Sequence, residues 1–518
     1  MSRRKVIIAT GVVLVVLITA LGVLQLLPAG DTTETVAAAD DPPPSALEVT
    51  GAFLDAFTSG DATTAGALTD DAAGAATALA AVRQTLAPIS VTASRDALVD
   101  AADQRFTLTW ELGPGRTWTY ESALRLVEDG EWRVHWDPAL VHPKLTAGHG
   151  LTVRDQTGQP AVLDRDGAPL LEWTATGTTA SAPAAAPVLA PGMGRVAGKG
   201  AWYVALTDGA GRDVEVLHGD RVAALTSTVS RPVQQAAQAA VDSQALPTML
   251  VAIQPSTGDL LAVAQNGSVD GGPVALQGLF APGSTFKIAT ATALLGAGAD
   301  VGTIVPCPGA ATVGPRTVRN ADFDLGDVPL RTAFAQSCNT SFALAAADLP
   351  LDALPKAADQ LGLGADFVIP GIDTEIGGVP EAVDTVQQVE NSIGQGQVQV
   401  SPFGLAMMSA TVAAGHAVTP RLWPDRATEV TTGYDAPPPG VITSLRTMMR
   451  EVVTTGRATE LAGLGRVYGK TGTAETTGSA HGWFTGYRDD LAFAVLVQDG
   501  ESSTTAVAVT SRFLTGLG

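Results

Sequence analysis

Apolar residues run almost unbroken from Val6 to Leu27, 22 positions interrupted only by Thr10, Thr19 and Gln25 among aliphatic side chains and glycine. At 1.5 Å of rise per residue such a helix is about 33 Å long, enough to cross a bilayer. Arg3-Arg4-Lys5 precedes it. Positive flanks stay inside, so residues 1–5 are expected in the cytoplasm, 6–27 in the membrane and all later residues outside. The run exceeds the roughly 7 to 15 residues of a signal-peptide core, which favours a retained anchor over a leader cleaved near Val36-Ala37-Ala38-Ala39. Residues 28–44, acidic and rich in proline, read as a flexible tether.

The pattern then changes to helical and alternating periods. Ser45 can cap a helix with Leu47, Val49, Phe53, Leu54 and Phe57 on its apolar side, and Ser59-Gly60-Asp61 ends it and starts another. Strand-like alternation follows in Phe106 to Trp110. Trp118 to Val127 and Trp132 to Trp136 are predicted to pair across Asp129-Gly130, a strong hairpin signal. Trp110, Trp118, Trp132 and Trp136 are expected to line the core. Residues 151–232 read as a linking domain, with Thr174 to Pro191, rich in Ala, Thr and Pro, as a loop. Beyond residue 232, Leu250 to Gln254 and Leu260 to Gln265 flank a turn as a hairpin, Val467 to Thr473 and Tyr487 to Asp499 read as strands, and Ala506 to Leu517 as a closing helix.

Composition narrows the partners. With 52 acidic against 31 basic residues the formal charge is −21, which disfavours nucleic acid. Two cysteines, and six histidines without CxxC or HxxxH spacing, give no metal-site signature, and neither a metal nor a cofactor is expected.

Candidate chemistry lies in three short motifs that occur in order: Ser284-Thr285-Phe286-Lys287, Ser337-Cys338-Asn339 and Lys470-Thr471-Gly472-Thr473. Acyl transfer at neutral pH needs a hydroxyl nucleophile, an amine or relay to take its proton, and a fixed cation for an anionic substrate. Pro282-Gly283 breaks regular structure just before Ser284 and so places it near a helix N-terminus. Lys287 follows one turn later on the same face. The apolar run Ile288 to Leu295 implies a buried helix, and desolvation there would lower the lysine pKa until a neutral base is accessible.

These motifs, with Phe280-Ala281-Pro282-Gly283, Ala335-Gln336, Ser392-Ile393-Gly394-Gln395-Gly396, Val400-Ser401-Pro402, Gly469, Ala474-Glu475 and His481 to Tyr487 around them, resemble the class B penicillin-binding proteins. The resemblance spans roughly residues 235 to 518. It implies a peptidoglycan D,D-transpeptidase that cross-links stem peptides through an acyl-serine, releases D-alanine and is acylated by β-lactams. Residues 45–150 resemble the cone-shaped, nuclear transport factor 2-like domain at the N-terminus of some such enzymes. Val162-Leu163-Asp164-Arg165-Asp166-Gly167 is similar to the family's Asp-Arg-x-Gly turn, with Gln159-Pro160 where Arg-Gly commonly precedes it.

The resemblance implies a multidomain α+β protein. After the anchor come a cone at 45–150, a linking or pedestal domain at 151–232, and a transpeptidase domain at 233–518 built from an antiparallel sheet and an all-helical lobe. By the same resemblance Ser284 is the acylated nucleophile and Lys287 its general base. Ser337 relays the proton to the leaving amine, Asn339 binds the substrate backbone, and Lys470 holds its carboxylate with Thr471 and Thr473 beside it. Backbone N–H groups of Ser284 and Thr473 form the oxyanion hole, and Gly472 lets the strand come close to the ligand. Expected partners are the D-Ala-D-Ala donor and amine acceptor stems, β-lactams, the cytoplasmic membrane and a glycosyltransferase of wall synthesis. A D,D-carboxypeptidase, β-lactam sensor or β-lactamase would share the acyl-serine. A silent scaffold would predict that Ser284→Ala has no effect.

Cys338 lies between two candidate catalytic residues. Its side chain is expected to point away from both, and it reads as a small buried hydrophobe rather than a thiol nucleophile. A bridge to Cys307, 31 residues away, is the lesser alternative, because sequence does not reveal its geometry.

Overall fold

The computed structural model describes residues 43–95, 102–182 and 186–518. The expected anchor at 6–27 and its flanks at 1–5 and 28–42 lie outside the described residues. Among the described residues no helix is long and apolar enough to cross a membrane.

Ser45 opens the first helix, Ala46–Ser59, through a full capping box: its hydroxyl accepts the Glu48 N–H while Glu48 reaches back to the Ser45 backbone. The helix ends on Gly60 in the left-handed region, and Asp61 caps the next. Val49, Phe53, Leu54 and Phe57 are buried as expected, but Leu47 is only half-buried and Ala46, Thr50 and Ala56 complete the buried face. A third helix, Ala72–Leu86, follows. Four antiparallel strands then pair in chain order, with Thr117–Asp129 and Glu131–Val134 turning at Gly130. Trp110 and Trp118 pack inside the cone, fully buried and stacked, whereas Trp132 and Trp136 sit at the margin of its core.

The linking segment splits between two cores. Its three-stranded sheet of Gly150–Asp155, Trp202–Thr207 and Asp213–Gly219 sends Leu151, Val204 and Leu206 into the core of the cone. Its other sheet sends Val162, Leu170, Leu171 and Trp173 into the core of the C-terminal domain. The loop expected over Thr174 to Pro191 contains a strand, Gly177–Ala180, paired with Pro169–Thr174. The β-branched pair Thr178-Thr179 suits an edge strand, and composition alone concealed it.

In the C-terminal domain a five-stranded antiparallel sheet has the spatial order Leu260–Gln265, Thr248–Ile253, Leu491–Val497, Ser479–Arg488, Val467–Thr476. The motif strand Val467–Thr476 is therefore an edge, with one side free to face a ligand. Tyr487 belongs to the strand Ser479–Arg488, and the next begins only at Leu491, because Asp489 takes a positive φ in the turn between them. Helix Ser503–Gly516 closes one face of the sheet against Arg231–Val241. The opposite face carries the buried helix Pro402–Ala414, and the second lobe packs against helix Pro439–Thr454. That lobe is not all-helical. Between helices Lys287–Gly296 and Asn339–Ala347 it carries the pairs Ile304–Cys307 with Gly326–Pro329 and Ala310–Val313 with Arg316–Arg319.

Candidate active site

Ser284 lies in a single 3-10 turn, Gly283–Phe286, which runs directly into helix Lys287–Gly296. Gly283 takes φ +51°, and a β-carbon there would fall 2.2 Å from the Thr473 carbonyl oxygen. The Ser284 turn is thus pressed against the motif strand, and only glycine permits it. Gly472 serves the same contact from the other side: its β-carbon would meet the Pro282 carbonyl at 2.7 Å and Thr285 at 2.8 Å. Within the protein, the close approach allowed by Gly472 is therefore to the segment from Pro282 to Thr285. The Trp483 indole N–H, 3.0 Å from the Ala281 carbonyl, adds a polar tie across the same junction.

Lys287 is fully buried, as the apolar run after it implies. Its Nζ lies 3.0 Å from Ser284 Oγ, 2.8 Å from the Ser337 carbonyl oxygen, 3.4 Å from Ser337 Oγ and 2.7 Å from Asn339 Oδ1. Burial, and then the charges of Lys470 and Arg457, hold this amine well below the usual lysine range. Lys470 is fully buried too, and burial with the field of Arg457 brings it down to about 7. It donates to Ser337 Oγ at 2.9 Å and to the Thr471 carbonyl at 2.9 Å. Ser337 Oγ therefore stands between two amines whose proton affinity has been lowered.

Ser337 occupies the left-handed region at φ +62°, a costly conformation for a residue with a side chain. The surroundings over-determine it. Cys338 is bonded to Cys307, so the loop is tied to strand Ile304–Cys307. This bridge corrects the reading of Cys338 as an unpaired buried hydrophobe: the side chain does point into the core, but its neighbour there is Cys307. Asn320 supplies a second tie, its Oδ1 accepting the Asn339 N–H at 2.8 Å and its Nδ2 donating to the Pro308 carbonyl at 2.8 Å. Asn339 Nδ2 donates to the Arg319 carbonyl at 3.0 Å.

These elements surround a cleft of about 710 Å³. Ser284, Ser337, Asn339, Thr471 and Thr473 all face it, so the structure brings together residues up to about 190 positions apart in the chain. Lys287 and Lys470 lie behind this lining. Sequence reasoning missed Arg457, the hairpin residues Arg316 and Arg319, and Glu501. No local pattern marks them, because they reach the cleft only through the tertiary fold. Gln336 and Gln395 lie within segments quoted above, yet their place in the cleft was not foreseen.

Comparison with known proteins follows the same lines. The family described as penicillin binding protein transpeptidase domain matches residues 248–515, and the NTF2-like N-terminal transpeptidase domain matches residues 45–149. The peptidoglycan D,D-transpeptidase PbpA of Mycolicibacterium smegmatis is 30% identical over 334 residues, covering 53% of this chain and 67% of that protein. PbpA of Mycobacterium tuberculosis is 28% identical over 50% of this chain, which spans 63% of that relative. Penicillin-binding protein A from M. tuberculosis, solved as a ceftriaxone acyl-enzyme complex, shares the fold with a TM-score of 0.56 and 23% identity, covering 70% of this chain and 98% of that one.

Proposed function

The chain belongs to the penicillin-binding D,D-transpeptidases with an NTF2-like N-terminal domain, and from that premise we propose that it cross-links peptidoglycan stem peptides through an acyl-Ser284 intermediate. The observation that carries the assignment of roles is the position of the buried Lys287 amine, 3.0 Å from Ser284 Oγ. A neutral amine has two N–H groups and one lone pair. The two shortest contacts, to Asn339 Oδ1 and the Ser337 carbonyl, use the N–H groups and leave the lone pair for the Ser284 proton.

Ser284 Oγ then attacks the carbonyl of the penultimate D-alanine. The oxyanion is held by the backbone N–H groups of Ser284 and Thr473, donors that strengthen as charge develops. Ser337 Oγ, bonded to Lys470, passes a proton to the departing D-alanine nitrogen, and an amine of a second stem takes the acyl group by the reverse route. A β-lactam enters the same first step, but its leaving amine stays attached and blocks the acceptor.

Placement outside the membrane is part of this reading. It is supported by the basic then apolar N-terminal sequence and by the Cys307–Cys338 bridge, since disulfides persist in oxidising compartments. A glycosyltransferase partner would supply the strands to be cross-linked. The deciding experiment is labelling of the full chain with a fluorescent penicillin, read by gel and intact mass. A stable one-to-one adduct that disappears in Ser284→Ala is expected. Turnover of the probe without an accumulating adduct would point instead to a β-lactamase.

A further inference from the structure

Lys470, the cation that the motif pattern assigns to the substrate carboxylate, is poorly placed to hold it alone. It is fully buried, its ammonium is engaged by Ser337 Oγ and the Thr471 carbonyl, and it does not line the cleft. A different cation does. Arg457, in the turn after helix Pro439–Thr454, is exposed on the cleft wall with Ser337 and Asn339. Its backbone N–H bonds the Ala335 carbonyl at 3.2 Å, its Nε donates to the Gln336 carbonyl at 3.2 Å, and its guanidinium lies 4.8 Å from the centre of the Phe323 ring. One backbone and two side-chain contacts make a pre-oriented group, and the other guanidinium nitrogens remain available. Among the described residues no carboxylate lies within ion-pair distance of it.

We propose that Arg457 is the carboxylate-holding residue of this site, binding the C-terminal carboxylate of the D-Ala-D-Ala donor and the corresponding carboxylate of β-lactams beside Ser337. This rests on the acyl-Ser284 reading and deepens it. Two other arginines line the cleft, and both are less suited. Arg316 is already paired with Glu390 at 3.0 Å. Arg319 offers its backbone carbonyl to Asn339, whereas Arg457 is the arginine whose field reaches both lysines. The arrangement also divides the labour between the cations. A guanidinium keeps its charge over the whole range in which the lysines titrate. Lys287 and Lys470 can therefore exchange protons during the reaction while the substrate stays anchored.

The test compares benzylpenicillin with its neutral methyl ester as acylating agents of the full chain, for wild type, Arg457→Gln, Arg457→Lys and Arg319→Gln. Arg457→Gln is expected to lower the second-order acylation rate of the acid by about 10- to 100-fold, the scale of a charge-assisted hydrogen bond, and that of the ester by less than about threefold. Arg457→Lys should recover part of the loss. Removing a positive neighbour also raises the proton affinity of both lysines, so the acidic limb of the rate profile should move to higher pH for either agent. Equal losses for acid and ester, an acidic limb that does not move, or an acid-selective loss in Arg319→Gln but not in Arg457→Gln would each overturn the proposal. Wild-type protein that neither agent acylates would instead overturn the acyl-Ser284 reading beneath it.

Discussion

Two buried amines share one hydroxyl, and their protonation states should set the pH dependence of catalysis. Under the roles proposed above, acylation needs Lys287 neutral, and Ser337 works best as a relay while Lys470 is protonated. Because Lys287 is held well below the usual range and Lys470 near 7, the rate should rise with pH as Lys287 loses its proton and fall again around neutrality as Lys470 does. Lys470→Arg should push the falling limb to higher pH, measured as fluorescent-penicillin acylation from about pH 5 to 9; an unmoved limb would remove Lys470 from that role. Gly472→Ala tests the seam between turn and strand. Its β-carbon would sit 2.7 Å from a backbone carbonyl that cannot rotate away, so a loss of about 1 to 3 kcal/mol in chemical unfolding, with slower acylation, is expected. At this scale the sequence was informative wherever chemistry dictates residue type within a few positions, as with Ser284 and Lys287. Arg457 was illegible for the opposite reason: an exposed arginine in a turn has no local signature, and only the packing of Gly456 and Arg457 against the Ala335-Gln336 carbonyls sets it on the cleft wall.

The loop that presents Ser337 is held by two ties of different kinds, and each can be cut. Joining Cys307 to Cys338 closes a loop of 31 residues, for which restriction of the unfolded chain contributes roughly 3 to 4 kcal/mol. Paired Cys307→Ser and Cys338→Ser changes should lower unfolding stability by about that amount, and a fall in acylation at temperatures where the protein stays folded would show that the bridge also restrains Ser337. Asn320→Ala removes the acceptor for the Asn339 and Thr340 N–H groups at the start of helix Asn339–Ala347, leaving donors that need another partner. A loss of about 1 to 3 kcal/mol is expected from thermal melts. The helices and long strands were legible because burial imposes a period, and caps such as Ser45 or turns such as Asp129-Gly130 mark their ends. The short paired strands at 304–329 and the strand Gly177–Ala180 were not. Four-residue strands bury little, so their sequences carry hardly any alternation, and their pairing is decided by what they pack against.

Across the whole molecule the described residues bury two separate hydrophobic cores, and the linking segment contributes to both. The boundary that matters for stability therefore runs through the linking segment, between its two sheets, and could not be located from a composition shift. Two cores with little shared apolar contact should melt as two units, and acylation should raise only the transition of the catalytic unit, because a ligand stabilises what it binds. The cone has a pH response of its own. His142 lies against Trp118 and Tyr120 with Nδ1 accepting the Lys144 N–H, and burial lowers its pKa to about 4 from an ordinary value near 6.5. The unfolded chain binds this proton more readily than the folded one. Stability from the neutral imidazole is thus full above about pH 6.5, declines as pH falls towards 4, and levels off below, with a limiting slope of about 1.4 kcal/mol per pH unit for one proton. Differential scanning calorimetry between pH 7 and 4.5 should show the cone's transition falling with acidity, and His142→Phe should flatten that fall while leaving the acylation-sensitive transition in place. A cone transition with the same pH dependence in wild type and variant would mean that other groups govern its acid response.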